Sequence, residues 1–179
     1  MVVMAPKNKY ELADMIKFAV DYEEPIALRY PRGTAYSGLK EYRAPIVLGK
    51  SELVKEGSKI AFFALGSMVE TAYEVVERLL EQGVEATLVN ARFAAPFDKD
   101  MVVSLAKEHD IIVTLEENVI SGGFGEHVAS YVSEKNLDLK VQIVAIPDVY
   151  VEHGNVNILK KDIGIDADSI YERVVELLK

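Results

Sequence analysis

Between Ile111 and Val128 the chain reads Ile-Ile-Val-Thr-Leu-Glu-Glu-Asn-Val-Ile-Ser-Gly-Gly-Phe-Gly-Glu-His-Val. A buried-strand run meets two carboxylates, then a glycine-rich turn, then a helical period. Such a strand must be covered by other elements, and glycines between strand and helix let backbone amides approach an anion. The turn therefore has two readings, a phosphate cradle or a structural turn that packs the helix closely on the sheet. Gly123 and Gly125 match the first glycines of a dinucleotide fingerprint, but Val128 replaces the third, and the turn from Leu115 to Gly122 is longer than a true fingerprint allows. Glu116 and Glu117 flank it, and a like-charge contact at about 4 Å costs roughly 1 to 4 kcal/mol. The structural turn is favoured, with a small dinucleotide-binding module as the alternative of another class.

The same strand-then-helix grammar runs through the chain. Met1 to Pro6 reads as a strand; Asn8 and Glu11 have capping-box spacing ahead of Leu12, Met15, Ile16, Ala19 and Val20 on one helical face. Ile26 to Tyr30 is a second short strand, ended by the Pro31-Arg32-Gly33 corner. Residues 36–45 have no period and mixed charge and read as a linker, which separates an N-terminal unit, 1–35, from a domain over 46–179. Ile46 to Val54 reads as an edge strand with Lys50 and Glu52 outward, and Ile60 to Leu65 as a central one. Ser67 is the expected cap of a helix carrying Val69, Ala72, Val75, Val76 and Leu79, closed by Gly83. A strand over Val84–Asn90, a connector over Arg92–Asp98, a helix capped by Asp98, a strand over Val141–Ile146 and a terminal helix capped by Asp166 complete the series.

This alternation predicts an α/β fold with three layers, α/β/α, around a mostly parallel sheet, because parallel strands need crossovers. Ligands in such sheets sit at the carboxyl ends of strands where the strand order reverses. Those ends are Gly66-Ser67, Asn90 to Arg92, Glu116 to Asn118 and Pro147-Asp148.

Composition narrows the chemistry. The chain has no cysteine, which excludes thiolate zinc sites, disulfides and a cysteine nucleophile and fits a reducing cytoplasm. Its three histidines have no partners at metal-ligand spacing, so no metal site is expected. A net charge of -9 repels polyphosphate, so no nucleic-acid partner is expected, and the apolar runs are too short for a membrane span. Glu116 and Glu117 point to opposite faces of a strand and cannot work as a carboxylate pair; one of them is expected to pair with Arg92. His109 is expected to end a helix. Arg29 and Arg32 differ from the rest, since guanidinium groups at a proline–glycine corner offer fork-shaped donors for a phosphate or carboxylate.

Leu28-Arg29-Tyr30-Pro31-Arg32-Gly33, Leu48-Gly49-Lys50, Asn90-Ala91-Arg92-Phe93, Pro96-Phe97-Asp98, Thr114-Leu115-Glu116-Glu117-Asn118, Gly122-Gly123-Phe124-Gly125 and Val151-Glu152-His153-Gly154 stand in this order with Met4-Ala5-Pro6-Lys7 ahead of them. Together they resemble the C-terminal part of the 1-deoxy-D-xylulose-5-phosphate synthases, a thiamine-diphosphate-dependent, transketolase-like family. The Glu-Glu and Gly-Gly-x-Gly elements alone are shared with transketolases and with 2-oxoacid dehydrogenase E1 β-subunits, which remain the alternatives within the superfamily.

The resemblance implies a transferase that joins pyruvate, with loss of CO2, to glyceraldehyde 3-phosphate for isoprenoid, thiamine and pyridoxal precursors. It implies that residues 1–35 are the end of a pyrimidine-binding domain, a βαβ remnant, and that 46–179 form a transketolase C-terminal-like domain with a five-stranded sheet and one antiparallel edge strand. No Gly-Asp-Gly element followed by an asparagine-rich stretch is present, so thiamine diphosphate and Mg2+ are expected to bind elsewhere in the parent enzyme and no catalytic residue is expected in this chain. The remaining domains of that enzyme and a homodimer partner are the implied partners. Arg32 is the implied grip on the aldehyde's phosphate, with Arg29 a weaker candidate. Ser67, Glu116 and Asn118 mark a possible ligand crevice at the sheet edge.

Overall fold

The computed structural model describes residues 1–179. Two sheets share the strands. A three-stranded sheet has the order β2–β1–β6, from Ile26–Leu28 (β2), Val2–Met4 (β1) and Phe93–Ala95 (β6). A five-stranded sheet runs β3–β5–β4–β7–β8, from Glu52–Lys55 (β3), Thr87–Asn90 (β5), Lys59–Ala64 (β4), His109–Val119 (β7) and Lys140–Ile146 (β8). All its neighbours are parallel except β3, which is antiparallel to β5 at the edge, as the family resemblance implies.

The period-two alternation of β4 and β7 divides the core into two layers. Ile60, Phe62 and Ala64, with Ile111, Val113 and Leu115, face α2 (Met68–Glu81) and α6 (Ala167–Leu177), where Val69, Ala72, Val76, Ile170 and Val174 are buried. Ala61, Phe63 and Ile112 face α3 (Lys99–Glu108) and α4 (Phe124–Glu134), where Val102, Leu105, Phe124 and Val128 are buried. Each such large side chain contributes about 1.5 to 3 kcal/mol by leaving water, which makes this α/β/α sandwich the main source of stability. α1 (Lys9–Asp21) packs Met15 against Val2, Met4 and Phe93 over the smaller sheet.

Several local expectations hold. The side chains of Asn8, Asp98 and Asp166 cap α1, α3 and α6, accepting from amides at the first turn. Others fail for identifiable reasons. The Glu11 carboxylate takes the amide of Lys7 rather than that of the cap residue, because its other oxygen is held by buried donors. Ser67 makes no cap bond and donates instead to Glu117. Glu52 faces inward and Leu53 outward, the reverse of the expected edge-strand register. His109, by contrast, does end a helix as expected, as the C-cap of α3, and it also starts β7: its buried ring lies 2.8 Å from Thr87 Oγ1 and 3.0 Å from the Leu105 carbonyl. The connector after Arg92 contains β6, and α5 (Val156–Asp162) is a helix that buries no residue and so left no apolar stripe in the sequence.

Residues 36–45 contain no helix or strand but lie tied to both neighbours. Leu39 is buried in the α2-side core, Asn8 Nδ2 donates to the Gly38 carbonyl at 2.8 Å, and Arg43 pairs with Asp14.

Candidate functional site

In the larger sheet the chain moves outward from β4 to β5 and then passes back over β4 to β7, so the strand order reverses between β4 and β7. A crevice should open at their carboxyl ends. It does: a cavity of about 160 Å3 is lined by Leu65, Gly66 and Ser67 after β4, by Glu117 near the end of β7, and by Arg29, Tyr30 and Pro31 from the corner after β2. A second cavity, about 390 Å3, continues on the α4 side past Glu116, Asn118, Gly122 and His127, with Arg29 on its rim. Ser67, Glu116 and Asn118 thus reach the same sheet edge, but Glu117 parts Ser67 from the other two.

The two carboxylates point to opposite faces, as their adjacency requires. Glu116 is buried on the α4 side and accepts from the amides of Phe124 at 2.9 Å and Gly125 at 2.8 Å. The anion at this helix N-terminus is therefore the protein's own, and the phosphate-cradle reading of the glycine turn does not hold. Burial pushes the Glu116 carboxyl above its ordinary value, against the pull of the Gly125 and Phe124 amides and the charges of Arg29 and His127. Glu117 sits on the α2 side. Burial works against its charge too, but hydrogen bonds from Lys160 and Ser67, with the charges of Lys160 and Arg29, hold its carboxyl below the usual range. Lys160 comes from α5, and no sequence pattern joined it to a partner 43 residues away.

The two corner arginines separate. Arg29 donates through NH2 to the backbone carbonyl of Glu117. Arg32 is exposed, enters none of the ion pairs, and lines a different cleft of about 320 Å3 with Asn8, Tyr30, Tyr36, Ser67 and Glu70. Glu70 is raised by burial and by neighbouring Glu74, opposed by Lys160.

Arg92 pairs with neither Glu116 nor Glu117. It lies in a sealed cluster where α1 meets the larger sheet, 2% exposed, with Nε 2.8 Å from Glu11 Oε1 and NH2 3.0 Å from Glu52 Oε1. Lys7 Nζ reaches the same two carboxylates at 3.0 and 2.6 Å, and Asn90 donates to Glu11. Two cations and two anions cancel here, and the Ala44 and Pro45 carbonyls take two further guanidinium hydrogens. The cause of the missed pairing is distance in sequence: Glu11 and Arg92 are 81 residues apart.

With this geometry in view, the class follows. The family described as the transketolase C-terminal domain matches residues 49–170, and the chain belongs to it. The particular relatives are narrower. The chain is similar to the 1-deoxy-D-xylulose-5-phosphate synthase of Lachnoclostridium phytofermentans, 45% identical over 175 residues that cover 97% of this chain and 28% of that one. It is likewise similar to the synthase of Heliobacterium modesticaldum, 40% identical over 178 residues, 99% of this chain and 28% of that one. Among solved structures, a split-gene transketolase described as an inactive β4 tetramer superposes with a TM-score of 0.81 at 27% identity, over 98% of this chain and 56% of that one. A transketolase from Campylobacter jejuni has the same fold, with a TM-score of 0.71 at 17% identity over 98% of this chain and 26% of that one. The chain spans about 28% of the length of the curated relatives it matches.

Proposed function

We propose that this chain is the C-terminal part of a 1-deoxy-D-xylulose-5-phosphate synthase, the transferase that condenses pyruvate, with loss of CO2, and glyceraldehyde 3-phosphate. The likeness to synthases along 97% of the chain supports the family, and one observation supports a site: Arg32, an exposed guanidinium outside every ion pair, at the rim of a cleft in a protein of net charge -9. A guanidinium presents two parallel N–H donors to a phosphate, and a charge-assisted bond is worth about 1.5 to 3 kcal/mol, or roughly ten- to a hundredfold in affinity. Arg32 would hold the phosphate end of the aldehyde and so fix the position of its carbonyl carbon. The β1–α1–β2 unit that carries the corner is assigned to the end of the pyrimidine-binding domain, and the rest to a packing domain that supports it.

This chain's residues do not fit thiamine diphosphate or Mg2+. No three His, Asp or Glu side chains converge, and the glycine turn is filled by Glu116. Cofactor binding is assigned to the upstream part of the enzyme, and Asp, Glu or His of this chain is given no step in the carbon–carbon bond formation. No helix is long and apolar enough to cross a membrane; a cytoplasmic homodimer is the setting proposed. The 27% identity to a split-gene transketolase supports a second reading, the C-terminal part of a transketolase.

The test is Arg32→Ala in the assembled enzyme, with KM measured for both substrates. A rise of about tenfold or more for glyceraldehyde 3-phosphate, with pyruvate little changed, is expected. Equal effects on both substrates would sink the assignment. The chain alone is expected neither to bind thiamine diphosphate nor to turn over; a micromolar calorimetric signal with cofactor and Mg2+ would refute that part.

A further inference from the structure

The corner that presents Arg32 is pinned at both ends. On one side the Arg29 amide donates to the Met4 carbonyl at 2.8 Å, completing the β1–β2 pairing, while its side chain crosses to the Glu117 carbonyl near the end of β7. On the other side the Tyr36 carbonyl accepts from the Lys9 amide at 3.0 Å, at the start of α1. Between the pins run Tyr30, Pro31, Arg32, Gly33, Thr34 and Ala35, all exposed and without helix or strand. Arg32 stands near the apex, beside Gly33, whose φ of +128° is one that side-chain-bearing residues rarely adopt.

Glu117 is itself fixed. Its carboxylate takes hydrogen bonds from Ser67, at the start of α2, and from Lys160 of α5, so the carbonyl that receives Arg29 is part of a locked strand end. Ser67 lines both the crevice below Arg29 and the cleft beside Arg32, which places the lock directly under the corner. Arg29 also lines neither wall of the Arg32 cleft.

From these contacts we infer that Arg29 is a positioning residue: it ties the Arg32 corner to the end of β7 and acts on the phosphorylated substrate only through Arg32. The inference rests on the proposed role of Arg32 and reassigns Arg29, which sequence alone offered as a second phosphate ligand. A corner that keeps its two backbone pins but loses the side-chain tie to β7 samples more orientations, and displacement of a binding group by about an ångström is enough to lose much of its contribution.

The test is steady-state kinetics on the assembled enzyme with glyceraldehyde 3-phosphate and, in parallel, with glyceraldehyde, which lacks the phosphate. Arg29→Met is expected to raise the KM for the phosphorylated aldehyde about tenfold, leaving that for glyceraldehyde and for pyruvate within about twofold. In an Arg32→Ala background the same change should add nothing further. Arg29→Lys, which keeps the charge but not the fork that reaches the carbonyl, should behave like Arg29→Met and serves if the latter assembles poorly. The inference is overturned by a silent Arg29→Met, by equal rises for both aldehydes, by full additivity with Arg32→Ala, or by wild-type kinetics of Arg29→Lys. An Arg32→Ala without effect would overturn instead the phosphate-binding role of Arg32 itself.

Discussion

Arg92 Nε donates to Glu11 Oε1 at 2.8 Å, joining the first helix of the chain to the residue that precedes β6, with both side chains 2% exposed. Neither group is in water; Lys7 and Asn90 also hold Glu11, and Glu52 is the second carboxylate on Arg92. Glu11→Ala should therefore leave Lys7 and Arg92 sharing Glu52 alone. Removing one partner of a buried pair typically costs about 3 to 5 kcal/mol. A urea titration should show the loss as a lower midpoint with little change in slope; a shift below about 1 kcal/mol would mean that water enters the cluster freely.

Acid should loosen the same seam. Burial opposes the charge of Glu52, but the hydrogen bonds from Lys7 and the Ala44 amide, with the charges of Lys7 and Arg92, hold its carboxyl below the ordinary value. Its folded value then lies under its unfolded one, so its contribution is complete above the unfolded value and is lost as pH falls through the folded one. Glu52→Gln should flatten the acid limb of stability measured between about pH 6 and pH 2. An unchanged acid limb would assign the loss to other carboxylates.

Gly125 tests the glycine turn. A methyl group there would stand 2.5 Å from Thr114 Oγ1 and 2.7 Å from Ile143 Cγ2, both walls of the packed sheet. Gly125→Ala should destabilise by about 1 to 3 kcal/mol through overpacking, measured by thermal or chemical unfolding. A neutral result would show that α4 can lift off β7 and β8.

Lys160→Met should release the carboxyl of Glu117. With that hydrogen bond and charge removed, burial prevails over Ser67 and Arg29, and the titration of Glu117 followed by carbon NMR should move upward. A midpoint that stays put would show that Ser67 and Arg29 suffice.

What was legible in the sequence is what neighbours decide. Asn8, Asp98 and Asp166 could be read as caps because the amides they accept from lie two or three residues on. The central strands could be read because Ile60 to Leu65 is apolar on both faces. Glu52 was misplaced because its partners, Lys7 and Arg92, stand 45 and 40 residues away, and an isolated glutamate on a strand reads as solvent-facing. β6 escaped because three residues pairing with a strand some 90 positions earlier leave no period. The opposite faces of Glu116 and Glu117 were legible, but what each touches was not. For Glu116 the glycine turn was in plain view, yet only the fold shows that its amides are spent on a carboxylate of the same chain.

β6 lies after residues 36–45, yet it completes the sheet of β1 and β2. The chain is in this sense stitched rather than strung. A polypeptide expressed from residue 46 onward would lose Lys7 and Glu11 at a stroke, leaving Arg92 beside Glu52 on a newly wetted surface and β6 with an open edge. Any division of this molecule into parts that are to be studied separately must therefore keep its first forty residues with the rest.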